Sequence, residues 1–94
     1  MKIKTKYFAF MREKLGRDSE EFELNEGATV QDFIEVFKAK YAEKLSGLFE
    51  AGSLKTGFAL ALNDENLDRL RWRQTRLQEG DVVVILPPIA GGFI

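Results

Sequence analysis

Val82-Val83-Val84-Ile85-Leu86-Pro87-Pro88-Ile89-Ala90-Gly91-Gly92 is the stretch on which the reading of the fold turns. Its first five residues are apolar without alternation. A strand of that kind is covered on both sides, so it is expected at the centre of a sheet. The two prolines lack amide donors and fix φ, so pairing should stop at Leu86 and the chain should leave in an extended course. Ala90, Gly91 and Gly92 carry almost no side chain, which suits backbone that must approach a partner's atoms closely. From Pro87 to Gly92 such an arm reaches at most ~20 Å. The expected division is a folded body over 1–86 and a flexible C-terminal tail with Gly-Gly over 87–94.

Working back from that strand, Leu77-Gln78-Glu79-Gly80-Asp81 reads as a turn. Arg69-Leu70-Arg71-Trp72-Arg73 alternates and is expected to form a short edge strand. Arginines 69, 71, 73 and 76 around Trp72 raise the question of a nucleic-acid strip. A net charge of -1 and a pI near 5.5 give no global pull toward nucleic acid, so an acidic protein partner suits the patch better. Phe58 to Asn63 reads as a strand with Phe58, Leu60 and Leu62 on one face, followed by the turn-forming Asn63-Asp64-Glu65-Asn66. Gly52-Ser53-Leu54-Lys55-Thr56-Gly57 approximates a phosphate-binding loop but places Leu54 where a glycine is required before Lys-Thr, and it is read as a plain loop. Leu48-Phe49 is expected to tuck under the core.

The first half carries clearer periodicity. Ile3, Thr5 and Tyr7 alternate with Lys2, Lys4 and Lys6, as in a half-buried strand with a solvated lysine face. Phe8, Met11 and Leu15 are spaced for a short helix ended by Gly16, with Phe10 off the stripe. Phe22 and Leu24 should face inward from a second strand and Glu21 and Glu23 outward. Thr29 is a good N-cap with Asp32 in the capping-box position, and Val30, Phe33, Ile34, Phe37 and Tyr41 form one apolar stripe. The order is strand, short helix, strand, long helix, strand, edge strand, central strand. That order describes an α+β, ubiquitin-like β-grasp fold: a mixed sheet of four to five strands packed on one main helix, with the last strand beside the first.

Composition narrows the chemistry. The chain has 94 residues, no cysteine and no histidine. It therefore lacks Ser-His-Asp and Cys-His catalysis and the usual zinc ligands, and no disulfide can form. No loop has calcium-binding spacing. Neither cofactor nor metal is expected, and the chain is poorly equipped to act as a stand-alone enzyme. Met1 to Lys6 is not followed by the apolar stretch of an export signal, and no run is long enough to span a membrane, so a cytoplasmic location is expected.

Several stretches resemble a known family. They are Tyr7-Phe8-Ala9 with Arg12-Glu13 and Leu15-Gly16, then Ala28-Thr29-Val30, Ala61-Leu62-Asn63, and above all Leu77 to Val83 running on to Leu86-Pro87-Pro88-Ile89-Ala90-Gly91-Gly92. Along most of its length the chain is similar to the small sulfur-carrier subunit of molybdopterin synthase, in the ubiquitin-like β-grasp family. The double proline before the double glycine is the most specific element and favours that branch over the thiazole-synthesis carriers. The resemblance implies that Gly92 is the reacting residue, adenylated by an E1-like adenylating enzyme with ATP and then converted to a thiocarboxylate. It implies that Pro87, Pro88, Ile89, Ala90, Gly91 and Gly92 enter partners, among them the large subunit of molybdopterin synthase. Such carriers end at the second glycine, whereas Phe93 and Ile94 follow here. The resemblance implies removal of both by a processing protease, while a paralogue that kept the fold without the chemistry, or a tail that binds a partner through Phe93 and Ile94, stays open. Two other uses stay open: a ubiquitin-like modifier conjugated to lysines, and a non-catalytic interaction module binding through the arginine edge or through Phe10 and Trp72.

Overall fold

The computed structural model describes residues 1–88. In chain order its elements are β1 (Lys2–Lys6), α1 (Ala9–Leu15), β2 (Ser19–Glu23), α2 (Val30–Tyr41), β3 (Phe49–Glu50), β4 (Ser53–Leu54), β5 (Ala59–Leu62), β6 (Glu65–Leu67) and β7 (Val82–Leu86). The main sheet runs β2-β1-β7-β5-β6. β1 and β7 are parallel, with Lys4 opposite Val82 and Lys6 opposite Val84, while β1–β2, β5–β6 and β5–β7 are antiparallel. This is the expected β-grasp: the last strand lies centrally beside the first.

Helix α2 covers one face. Thr29 Oγ accepts from the Asp32 amide at 3.2 Å and the Asp32 carboxylate accepts from the Thr29 amide at 2.9 Å, closing the capping box read from the sequence. Val30, Phe33, Ile34, Phe37 and Tyr41 are all buried, as their spacing requires. Phe22 of β2 meets Phe33 edge-on at 5.4 Å and lies 5.9 Å from Phe37, so the helix and sheet interlock through aromatic rings. On β1, Ile3 and Thr5 point into this core and the lysines point out, and Tyr7, just after the strand, is buried with them.

Three expectations change. Phe8 does not join the α1 stripe; it sits at the N-cap, 54% exposed, and only Met11 is buried on that helix. Gly16 does end the helix in the left-handed region, its amide donating to Arg12 O at 2.8 Å. The 69–73 stretch is not a strand: Arg69–Arg71 forms a 3-10 turn, and the sheet edge is β6, built from the preceding Glu65–Leu67. Ser53–Leu54, read as loop, pairs with Phe49–Glu50 as a hairpin outside the main sheet, and Leu48 beside it is buried as expected.

Glu20 was not anticipated. Alternation places it on the same side as Phe22, and it is only 8% exposed at the β2–α2 junction. Its carboxylate accepts from Tyr7 Oη at 2.8 Å and Tyr41 Oη at 2.5 Å, pairs with Lys40 Nζ, and lies 3.3 Å from the Arg17 guanidinium. Burial alone pushes the Glu20 pKa up. The hydrogen bonds from Lys40, Tyr41 and Tyr7 outweigh it and hold the carboxyl below its ordinary 4.5. A folded-state pKa below the unfolded one gives stability that is complete above the unfolded value and lost as pH falls through the folded one. Urea unfolding should therefore show wild-type stability dropping on acidification below about 4.5. Glu20→Gln is expected to be less stable near neutrality and to show a shallower acid limb.

The β3–β4 turn offers a gain. Ala51 and Gly52 have φ of 51° and 82°, the left-handed pair of a tight hairpin. An alanine there carries a steric cost of about 1 kcal/mol that asparagine reduces. Ala51→Asn should raise the urea midpoint by roughly 0.5–1 kcal/mol of stability.

Candidate functional site

The end of β7 is the root of the tail. Leu86 pairs with Ala59 of β5, and the prolines that follow supply no donor, so the ladder ends where the sequence placed its end. The other end of β7 is tied down. Asn63 donates from Nδ2 to Asp81 at 3.0 Å and accepts the Val82 amide at 2.9 Å, while Asp81 also accepts from the Gln78 amide at 2.8 Å. Strands on both sides and this clasp at its start fix the strand that carries the tail. Of the expected site residues, Pro87 and Pro88 are exposed at the sheet's end. Ile89, Ala90, Gly91 and Gly92, with Phe93 and Ile94, lie outside the described residues.

The parallel register puts Lys6 opposite Val84, which brings Phe8 and Leu86 to the same end of the sheet. Both are exposed large apolar residues. Together with Pro87 and Pro88 they make an apolar surface around the root, a kind of patch that usually meets a partner. The lysine strip has a blander role on two of its three positions. Lys2 stands opposite Glu23 and Lys4 opposite Glu21, so the cross-strand charges balance. At the opposite end of β1, a hollow of about 480 Å³ is lined by Glu23, Glu26, Asp32 and Glu35, whose charge would repel an anionic ligand. Among the described residues no cluster of three or more acidic side chains is arranged to hold a metal.

The arginine stretch divides. Trp72 is 2% exposed and its indole Nε1 donates to Leu67 O at 3.2 Å. A buried tryptophan can neither stack on bases nor bind a partner, so those readings of Trp72 are corrected. Arg69 lies 4.5 Å over the Trp72 ring and donates to the carbonyls of Leu54, Lys55 and Phe58. Arg71, Arg73 and Arg76 stay exposed, and Leu70 protrudes with 84% of its surface in solvent.

The profile of the ThiS family matches residues 5–92. The chain belongs to the ThiS family. Two relatives show how that family divides. Small archaeal modifier protein 3 of Haloferax volcanii is 32% identical over 92 residues, covering 98% of this chain and 100% of the relative. The molybdopterin synthase sulfur carrier subunit of Chlamydomonas reinhardtii is 34% identical over the same shares. Among solved structures, small archaeal modifier protein 1 of Methanosarcina acetivorans superposes with a TM-score of 0.77 at 28% identity, over 97% of this chain and 96% of that one. The chain is thus a ThiS-family protein of the sulfur-carrier and ubiquitin-like modifier group.

The contrast between Trp72 and Leu70 is open to measurement. Removing the buried indole by Trp72→Ala should cost about 3–5 kcal/mol in urea unfolding, since it leaves a cavity and frees Arg69. Leu70→Ala should stay within about 0.5 kcal/mol of wild type.

Proposed function

We propose that this protein is a sulfur carrier whose Gly92, once its carboxylate is free, is adenylated and thiocarboxylated to deliver sulfur for molybdenum cofactor assembly. One observation carries the reading. The family match ends at residue 92, the second glycine of a pair that follows a Pro-Pro root set at the end of the central strand. Phe93 and Ile94 lie beyond that match, in keeping with their removal by a protease before use.

The chemistry asks little of the chain itself. A carboxylate is a poor electrophile. Attack of a Gly92 carboxylate oxygen on the α-phosphorus of ATP releases pyrophosphate and gives an acyl adenylate, in which AMP is a good leaving group. A sulfur nucleophile then displaces AMP and leaves a thiocarboxylate on Gly92. With Phe93 attached, Gly92 has an amide in place of the carboxylate and the first step has no nucleophile. The ATP site and sulfur donor belong to an E1-like adenylating enzyme, and the acceptor pocket to the large subunit of molybdopterin synthase. The narrow Ala90-Gly91-Gly92 end suits entry into such pockets. The exposed Phe8, Leu86, Pro87 and Pro88 supply an apolar shoulder against which they can dock. No helix among the described residues is long and apolar enough to cross a membrane.

The Haloferax modifier relative favours a second reading, in which a target lysine attacks the same adenylate and an isopeptide bond forms. Mass spectrometry of the protein isolated from its own cell, with and without its activating enzyme and ATP, separates the two. The carrier reading expects chains ending at Gly92 with one oxygen replaced by sulfur. Lysine conjugates ending at Gly92, without the sulfur form, would establish the modifier. Chains that retain Phe93-Ile94 throughout and form no adenylate would end both.

A further inference from the structure

The tail needs more than a strand to aim it, and the structure holds a second device at its root. Gly57 has φ of +102°, a conformation that glycine alone adopts readily. A Cβ placed there would stand 3.3 Å from Pro88 Cγ and 3.6 Å from Pro88 Cβ. Backbone conformation and available space therefore both call for glycine, and the ring of Pro88 lies against the bare backbone of that residue.

The loop carrying Gly57 is held from behind. Lys55 donates its amide to Leu48 O at 2.8 Å, and Phe58 closes a turn onto Lys55 O at 3.2 Å. Arg69 spans the loop: Nη1 donates to Leu54 O at 3.1 Å, and Nη2 to Lys55 O at 3.1 Å and Phe58 O at 3.4 Å. The planar guanidinium is well shaped for several carbonyls at once, which a lysine ammonium is not. It is itself fixed over Trp72, whose indole is buried and hydrogen-bonded. A continuous line of contacts thus runs from the core through Trp72 and Arg69 to the loop, and from Gly57 to Pro88.

We propose that the Lys55–Phe58 loop is a seat for Pro88 that sets the direction in which the tail leaves, with Gly57 and Arg69 as positioning residues for Gly92. The proposal rests on the activation of Gly92 described above. Its physical basis is leverage. Holding the Pro88 ring fixes the point and initial direction from which the chain leaves, which biases the directions open to the residues after it. An extended run from Pro88 to Gly92 spans ~13 Å, and a swing of about 10° at the root moves its end by about 2 Å. A misaimed tail reaches an activating pocket in a smaller fraction of encounters, which weakens apparent affinity without changing the reaction once bound.

The chain has no cysteine, so Phe93→Cys gives a single site for a nitroxide label on the full-length protein. Paramagnetic broadening of body amides then maps where the tail points. With the seat intact, broadening should be confined to one sector of the surface. Gly57→Ala and Arg69→Gln should each spread it over several, and Arg69→Lys should restore it in part. Should Gly57→Ala unfold the loop, Pro88→Ala removes the ring while leaving Gly57 and Arg69 untouched, and it should spread the broadening too. The same pattern in Pro88→Ala and Arg69→Gln as in wild type would overturn the seat. Adenylation kinetics on chains ending at Gly92 give the second reading. KM should rise about tenfold in Gly57→Ala and Arg69→Gln, neither of which alters the docking surface, with kcat unchanged, well within the ~100-fold cost of a 1 Å misplacement. A KM equal to wild type would overturn the positioning role. A wild-type chain that is never adenylated would end the proposed function while leaving the broadening result to decide the seat.

Discussion

The parallel pairing of Lys4-Thr5-Lys6 with Val82-Val83-Val84 is the constraint from which the rest follows. It brings the first and last strands together across almost the whole chain, so the largest loop-closure cost in the fold is met at this one ladder. Two things make it favourable. β5 pairs along the other side of β7, and the apolar stripe of α2 covers the sheet face where Ile3, Val83 and Ile85 lie. Placing the last strand inside the sheet leaves β2 and β6 as the edges. The strand that carries the tail is thereby held on two sides, while the edges consist of segments with no part in the tail.

Glu20 shows how tightly the helix is indexed against the sheet. A buried carboxylate is costly unless its acceptors are filled, and here two tyrosines, a lysine and an arginine converge on it. Tyr7 comes from the segment after β1, Arg17 from the approach to β2, and Lys40 and Tyr41 from the last turn of α2. Sliding the helix by one turn would break several of these contacts together. Burial and the hydrogen bond to Glu20 also push the Tyr7 phenol well above its ordinary pKa, so the tyrosine stays a donor across the working range of pH. Not every buried polar atom is served: Thr5 Oγ1 has no hydrogen-bond partner among the described residues.

Most of the fold was legible because its long elements carry strong periodicity. The five-residue apolar run of β7, the alternation of β1 and the capped stripe of α2 each point to one answer, and together they suffice for the β-grasp. The short elements mislead. Arg69 to Arg73 alternates like a strand, yet three to five residues of period two are equally available to a 3-10 turn that folds one residue inward, and burial of the large Trp72 ring decides between them. Phe8 reads as the start of a helix stripe, but its extended backbone at the N-cap takes it off the helical face. Glu20 was hidden by its charge, although its register with Phe22 marked the inward side. At the candidate site the Pro-Pro-x-x-Gly-Gly pattern is carried by sequence, whereas the Gly57–Pro88 contact has no local signature because its two members are distant in the chain.

The arrangement also ties presentation of the tail to completion of the fold. The tail follows the last strand of the chain, which lies between β1 and β5 and pairs with both. Without those pairings Pro88 has no seat, and Phe8 and Leu86 do not come to the same end of the sheet. Loss of core packing anywhere along β1 or β5 therefore acts on the tail's root as well as on global stability, because the same ladders serve both. In a chain with neither histidine nor cysteine, what the described residues contribute is geometric: they hold the last strand on two sides and set the point at which Pro87 and Pro88 leave the sheet.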